Sequence, residues 1–90
     1  MYWRVYLLRC SDDSLYCGVA TDVERRLHEH NHGVGSLYTR SRLPVSLVWS
    51  SGELTKSEAF KEEYRIKRLS KVMKEGIIGA GGEYEKSSSG

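Results

Sequence analysis

Tyr6, Tyr16, Arg26, His30 and Glu63 are the residues whose types and order could do chemistry together in this chain. That chemistry is cleavage of a phosphate ester. Breaking a phosphodiester in water needs a group to take a proton, cations to hold the phosphate, and usually a carboxylate to hold a divalent metal. Phenol, imidazole, guanidinium and carboxylate are all in the set.

The elements that must position these groups can be read from pattern. Tyr2 to Cys10 alternates aromatic or apolar residues with polar or basic ones, Ser11-Asp12-Asp13 breaks the run, and Leu15 to Ala20 resumes it, which predicts a β-hairpin. A three-residue loop pairs Cys10 with Ser14 and Leu8 with Tyr16, and it needs a left-handed residue at Asp13. Tyr6 and Tyr16 then share one sheet face as diagonal neighbours, and Cys10 and Cys17 fall on opposite faces. Thr21-x-x-Glu24 reads as a capping box opening a helix from about Asp22 to His32 with Val23 and Leu27 as its apolar stripe. Arg26 and His30, four apart, stack on an adjacent flank of it. Residues 33–44 read as a surface loop, Val45 to Trp49 as a short strand, Thr55-x-x-Glu58 as a second capping box opening a helix to about Leu69, and Ser70 as the cap of a short helix ended by Gly76. Residues 1–78 make one domain, and 79–90 read as a flexible tail.

Glu63 is the local anomaly. Ala59, Phe60, Ile66 and Met73 lie on or near one helical stripe, and Glu63 falls inside it. A carboxylate on a sheet-facing stripe needs a cation, a metal or a cleft. From the helix alone a salt bridge to an arginine and a metal site are equally good accounts.

Composition bounds the rest. Ninety residues with 39% hydrophobic and 29% charged content make one small domain with one core and no deep enclosed cavity. No apolar run approaches a membrane span and no secretory leader is visible, so the expected compartment is the cytoplasm. Two cysteines do not make a disulfide framework and read as reduced. A net charge of +2 does not itself demand nucleic acid, but Arg25, Arg26, Arg40 and Arg42 cluster in the first half and Arg65, Lys67 and Arg68 in the second. Tyr38, Arg40 and Arg42, with Arg25 and Lys67, are the candidate nucleic-acid contacts, since aromatic and basic groups together suit stacking and phosphate neutralisation. His28, His30 and His32 hint at zinc only weakly, because on a helix the first and third share a face that the second does not.

Arg4-Val5-Tyr6 and Tyr16-Cys17-Gly18 resemble the two tripeptides that name the GIY-YIG nuclease superfamily. Thr21-Asp22-Val23-Glu24-Arg25-Arg26-Leu27, Glu29-His30-Asn31 and Glu63-Tyr64-Arg65-Ile66-Lys67-Arg68-Leu69-Ser70 are similar to segments of its small single-domain bacterial members. The resemblance covers roughly Tyr2 to Glu75 in the expected order. It implies an α+β fold, a small three-stranded antiparallel sheet flanked by helices. It also implies roles: Tyr6 as general base or water-positioning phenol, Tyr16 beside it, Arg26 on the scissile phosphate, His30 assisting, and Glu63 binding one magnesium ion, with manganese as a substitute. An arginine and a metal would supply the positive field that favours phenolate. The sequence departs from the family pattern at Arg4-Val5, at Cys17, at Asp13 where glycine is frequent, and in lacking the asparagine that larger relatives place after the metal carboxylate. The function implied is a metal-dependent DNA endonuclease of low intrinsic sequence specificity in DNA repair or processing, with a protein partner supplying specificity. The alternative is a catalytically weak nucleic-acid-binding module within a larger complex.

Overall fold

A computed structural model of the chain describes residues 1–81. Strands β1 (Arg4–Arg9) and β2 (Leu15–Ala20) form the hairpin, followed by α1 (Val23–Asn31), α2 (Leu37–Arg40), β3 (Ser46–Ser50), α3 (Lys56–Lys67) and α4 (Lys71–Ala80). The sheet is antiparallel in the order β2-β1-β3, so the fold is α+β as expected. β2 is an edge strand.

The hairpin has the three-residue loop. Leu8 pairs with Tyr16 and Tyr6 with Gly18, the Cys10 amide donates to the Ser14 carbonyl at 2.8 Å, and Asp13 takes a φ of 70°. A non-glycine residue tolerates that conformation best when its side chain is Asp or Asn. Asp13 is further held by Arg9 at 3.0 Å and by Lys71 at 2.9 Å. Arg9 also forms a two-pronged pair with Glu75, both contacts 2.7 Å, which ties the hairpin to α4.

The alternation of β1 divides the core between the two faces of the sheet. Val5, Leu7, Cys17 and Trp49 pack with Ala59 and Ile66 of α3 on one face; Tyr6, Leu8, Cys10, Ala20, Val45 and Leu47 pack on the other, beneath Val23 and Leu27 of α1. Each fully buried Val or Leu side chain contributes about 1.5–3 kcal/mol. Cys10 and Cys17 are buried free thiols on opposite faces.

Several boundaries differ from the pattern reading. The N-cap of α1 is Asp22, whose carboxylate accepts from the Arg25 amide at 3.1 Å, one residue later than the Thr21 box; an aspartate in the adjacent position is an equally good cap and takes the site. The Thr55–Glu58 capping box forms as expected, and Ser70 caps α4. Within 33–44 a single turn, α2, is nucleated by Ser36, whose hydroxyl accepts from the Thr39 amide. One turn is too short to leave a periodic trace. Gly76 does not end the last helix, which runs to Ala80 with Gly81 as C-cap. Helical glycines cost about 1 kcal/mol each relative to Ala, and here Ile77 and Ile78 pack on the α3 side of the core. Trp49 Nε1 donates to the Gly81 carbonyl at 3.0 Å. The start of the expected tail is therefore helix and cap, and residues 82–90 lie outside the described residues. Of the predicted stripe, Ala59 and Ile66 of α3 are buried, Phe60 is half exposed against Trp3, and Met73 falls on α4 and faces solvent. The sheet is only three strands wide, too narrow to cover the whole stripe.

Candidate active site

Tyr6 stands on the α1 face of the central strand, directly across from Gly18 of the edge strand. A Cβ on Gly18 would come within 2.5 Å of the Tyr6 hydroxyl oxygen, so the glycine provides the floor on which the phenol lies. Tyr16 projects from the same face, its ring centroid 6.5 Å from that of Tyr6. His30 closes the cluster from α1, its ring 6.0 Å from Tyr6 and 5.1 Å from Tyr16, both edge-on.

Polar contacts run in a line through this cluster. The Tyr6 hydroxyl and His30 Nε2 are 3.0 Å apart, His30 Nδ1 and Thr39 Oγ1 are 2.8 Å apart, and Thr39 Oγ1 and Ser36 Oγ are 3.0 Å apart. His30 and Thr39 are fully buried. Gly35 has the same steric duty beside the imidazole as Gly18 has beside the phenol, since a Cβ there would overlap His30 Nδ1. Arg26, one turn before His30, donates to the Gly35 carbonyl at 3.0 Å and to Glu29 at 2.9 Å. Its positive charge also acts on the Tyr6 phenol, whose hydrogen-bond partner is His30. Arg26, with 34% of its side chain exposed, and the partly exposed Tyr16 are the members of the cluster that meet solvent.

These surroundings set the protonation states. Burial pushes the Tyr6 phenol up to about 12, Tyr16 adds to the rise, and Arg26 pulls the other way. Arginine alone therefore does not make Tyr6 a phenolate, because desolvation is the larger effect. Burial also lowers the His30 pKa, Arg26 lowers it further, and Glu29 opposes both. At neutral pH the site holds a neutral phenol and a neutral imidazole.

Glu63 approaches from the other layer. α3 packs across β2 and β1, on the face of Cys17, and the Glu63 carboxylate bonds Lys67 at 3.0 Å with 17% of its side chain exposed. Burial pushes the Cys17 thiol up to about 12 and the Glu63 charge adds to this. Burial works against the charge of Lys67, while Glu63, Cys17 and Tyr16 outweigh it and hold its pKa above the usual lysine value. The structure gathers Tyr6, Tyr16, Arg26 and His30 into one cluster, whereas Glu63 stands on α3, which packs on the opposite face of the sheet.

No group of three His, Cys, Asp or Glu side chains forms a metal cage among the described residues. His28 and His32 stack on each other, ring centroids 3.9 Å apart, while His30 turns inward, so the three histidines make no zinc site. A lone, mostly buried carboxylate suits a hard divalent ion that keeps most of its waters and completes its shell with substrate oxygens.

The candidate nucleic-acid contacts are unequally free. Arg42 lies 3.9 Å over the Tyr38 ring and bonds Asp12 at 3.1 Å and the Tyr38 carbonyl at 2.8 Å, tying α2 to the hairpin loop. Tyr38 stacks on Tyr16 at 6.0 Å and forms a wall of the site. Arg25 is 3.4 Å from Glu29 but mostly exposed. Arg40 is exposed and Lys67 is paired with Glu63. Thr39, Ser36, Gly35 and Glu29 support the site without having stood out in the sequence. The available signal was that a histidine brought into a core needs a partner on each ring nitrogen, and 33–44 is the nearby stretch rich in hydroxyls.

The chain is similar to known proteins over most of its length. The GIY-YIG catalytic domain model matches residues 2–75. A UPF0213 protein of Halobacterium salinarum is 51% identical over 83% of this chain and 97% of its own length, and one of Staphylococcus saprophyticus is 47% identical over 86% and 94%. The solution structure of a UPF0213 protein of Bacillus halodurans superposes with a TM-score of 0.59 at 43% identity, covering 97% of this chain and 94% of that one. With its tyrosine-bearing hairpin and the arginine and histidine of α1 set over it, the chain belongs to the GIY-YIG family of nuclease catalytic domains, among the UPF0213 proteins.

Proposed function

We propose that this protein is a metal-dependent endonuclease that hydrolyses DNA phosphodiester bonds with low intrinsic sequence specificity, acting in cytoplasmic DNA repair or processing. The observation that carries the reading is the Tyr6 phenol, bonded to His30 Nε2, with the partly exposed Arg26 one turn before that histidine and its charge acting on the phenol. Arg26 takes a non-bridging phosphate oxygen, for which its planar fork is suited. Water attacks phosphorus, and its proton passes to the Tyr6 oxygen as the phenol proton moves to His30 Nε2. The new P–O bond forms as the bond to the sugar oxygen breaks, and the departing alkoxide takes a proton from solvent. Glu63 would hold magnesium, or manganese in its place, and the bound ion would offset the charge growing on the phosphate. Tyr6 is only 1% exposed, so the phosphate must draw Arg26 away from Glu29 and admit water to the phenol.

Exposed Arg25 and Arg40 would contact the backbone, Tyr38 and Arg42 would form the wall along which the strand lies, and Lys67 would move from Glu63 to phosphate. Backbone contacts of this kind position a duplex without reading it, which is the reason to assign specificity to a protein partner. One observation favours the second reading, a binding module of little activity within a larger complex: Arg26 and Glu63 are both already paired, with Glu29 and Lys67. A nicking assay on supercoiled and branched DNA with magnesium or manganese separates the two. Cleavage by the wild type and its loss in Glu63→Gln, which keeps volume and removes charge, supports the nuclease. Magnesium-dependent cleavage that survives in Glu63→Gln removes Glu63 from the mechanism.

A further inference from the structure

We propose that Thr39 is a positioning residue that locks His30 in the Nδ1–H tautomer, leaving Nε2 bare to receive the Tyr6 proton. The inference rests on the nuclease reading for its catalytic consequence, but the tautomer itself does not.

The two ends of the buried hydrogen-bond line give the same answer independently. At the phenol end, His30 Nε2, 3.0 Å away, is the hydrogen-bond partner of the Tyr6 hydroxyl, and the neighbouring Arg26 has only donors, so it can accept nothing from the phenol. If His30 Nε2 carried a proton, the phenol proton would have no acceptor among the described residues, in a site where Tyr6 is 1% exposed. No buried side-chain nitrogen or oxygen lacks a partner among the described residues. The phenol therefore donates to Nε2. At the other end, the single Thr39 hydroxyl proton has acceptors of its own in Ser36, the carbonyl at 3.3 Å and the hydroxyl at 3.0 Å. That leaves the Thr39 oxygen free to accept from Nδ1–H at 2.8 Å. Thr39 is fixed in turn by the α2 cap, its amide donating to Ser36 Oγ at 3.2 Å, so one helical turn serves to orient the imidazole.

The consequence is a direction for the proton. A histidine held by an acceptor behind Nδ1 presents a lone pair at Nε2, and the pair Tyr6–His30 can then pass a proton inward from the phenol. The opposite tautomer would present a proton to Tyr6 and could take none.

The test is nitrogen NMR of uniformly labelled protein, which distinguishes the protonated ring nitrogen from the bare one, combined with cleavage kinetics of Thr39→Val and Thr39→Ser. The wild type is expected to show His30 neutral with the proton on Nδ1 at pH 7.5. Thr39→Val, which keeps shape and removes the acceptor, is expected to lose that single tautomer and to lower kcat about 10- to 100-fold, the usual cost of an orienting partner, with KM for DNA little changed; Thr39→Ser is expected to restore both. A wild-type His30 protonated on Nε2 overturns the proposal whatever the variants do. So does a Thr39→Val protein that keeps the Nδ1–H tautomer and the wild-type kcat. If the wild type cleaves no DNA yet His30 carries its proton on Nδ1 in a Thr39-dependent way, the positioning role stands and the nuclease reading fails.

Discussion

The Tyr6 phenol rests on the bare backbone of Gly18 across the hairpin, and a methyl group at that glycine would sit 2.5 Å from the phenol oxygen and 2.6 Å from the ring carbon bearing it. Gly18→Ala is therefore expected to push the phenol off His30 and to destabilise the fold by about 1–3 kcal/mol, the range for overpacking a core. Chemical denaturation gives the stability change, and loss of cleavage beyond that explained by unfolding reports the displaced phenol. A Gly18→Ala protein with wild-type stability and activity would show that the contact relaxes freely.

Tyr6→Phe and Arg40→Ala should separate chemistry from binding. Removing the phenol hydroxyl is expected to lower the cleavage rate by roughly 10²–10⁴-fold with DNA affinity unchanged. It also leaves buried His30 Nε2 without a donor, a stability cost of about 1–3 kcal/mol. Arg40→Ala is expected to leave the saturated rate alone and to reduce the salt dependence of binding by about one phosphate contact. Arg42→Ala differs from both: with Asp12 and Tyr38 released, it should loosen the hairpin loop against α2. Single-turnover rates and salt titrations of affinity distinguish the three.

If Glu63 holds the metal as proposed, Lys67, 3.0 Å from its carboxylate, competes with that ion. Lys67→Gln is expected to lower the magnesium concentration for half-maximal cleavage by about two-fold, the worth of a partly exposed i,i+4 pair. A magnesium requirement that rises instead would place Lys67 on the substrate phosphate as its main duty.

The pH dependence follows from the lowered His30 pKa. Between the folded and unfolded pKa values the unfolded chain binds more protons, so stability rises with pH through that interval. The contribution is complete above the unfolded value, about 6.5, and is lost as pH falls below it toward the lower folded value. Arg26, Glu29, Tyr6 and Tyr16 face the ring, and none supplies a carboxylate strong enough to reverse the sign. Glu75 and Asp13, both held below the usual carboxylate range by their bonds to Arg9 and Lys71 respectively, add a second loss at more acidic pH. Denaturation midpoints from pH 8 to 3 should show two declines, and His30→Gln should abolish the first only.

The local sequence determined what depends on near neighbours. Hairpin parity follows from a strict period of two, so a three-residue loop with Asp13 in the left-handed region sufficed to put Tyr6 and Tyr16 on one face. The Thr55–Glu58 box and the Ser70 cap were legible because caps act within one turn. The spacing of Arg26 and His30 set them on one flank of α1 for the same reason. What only the tertiary structure decided is where burial and long-range partners rule. Thr39 is an unremarkable residue of a loop-like stretch until α2 lays it against His30 nine residues away. Gly76 reads as a helix stop until Ile77 and Ile78 find the core. The rise of the Tyr6 pKa is likewise set by tertiary structure, because the desolvation of a phenol beneath α1 depends on what packs over it, and local spacing along the chain does not record that.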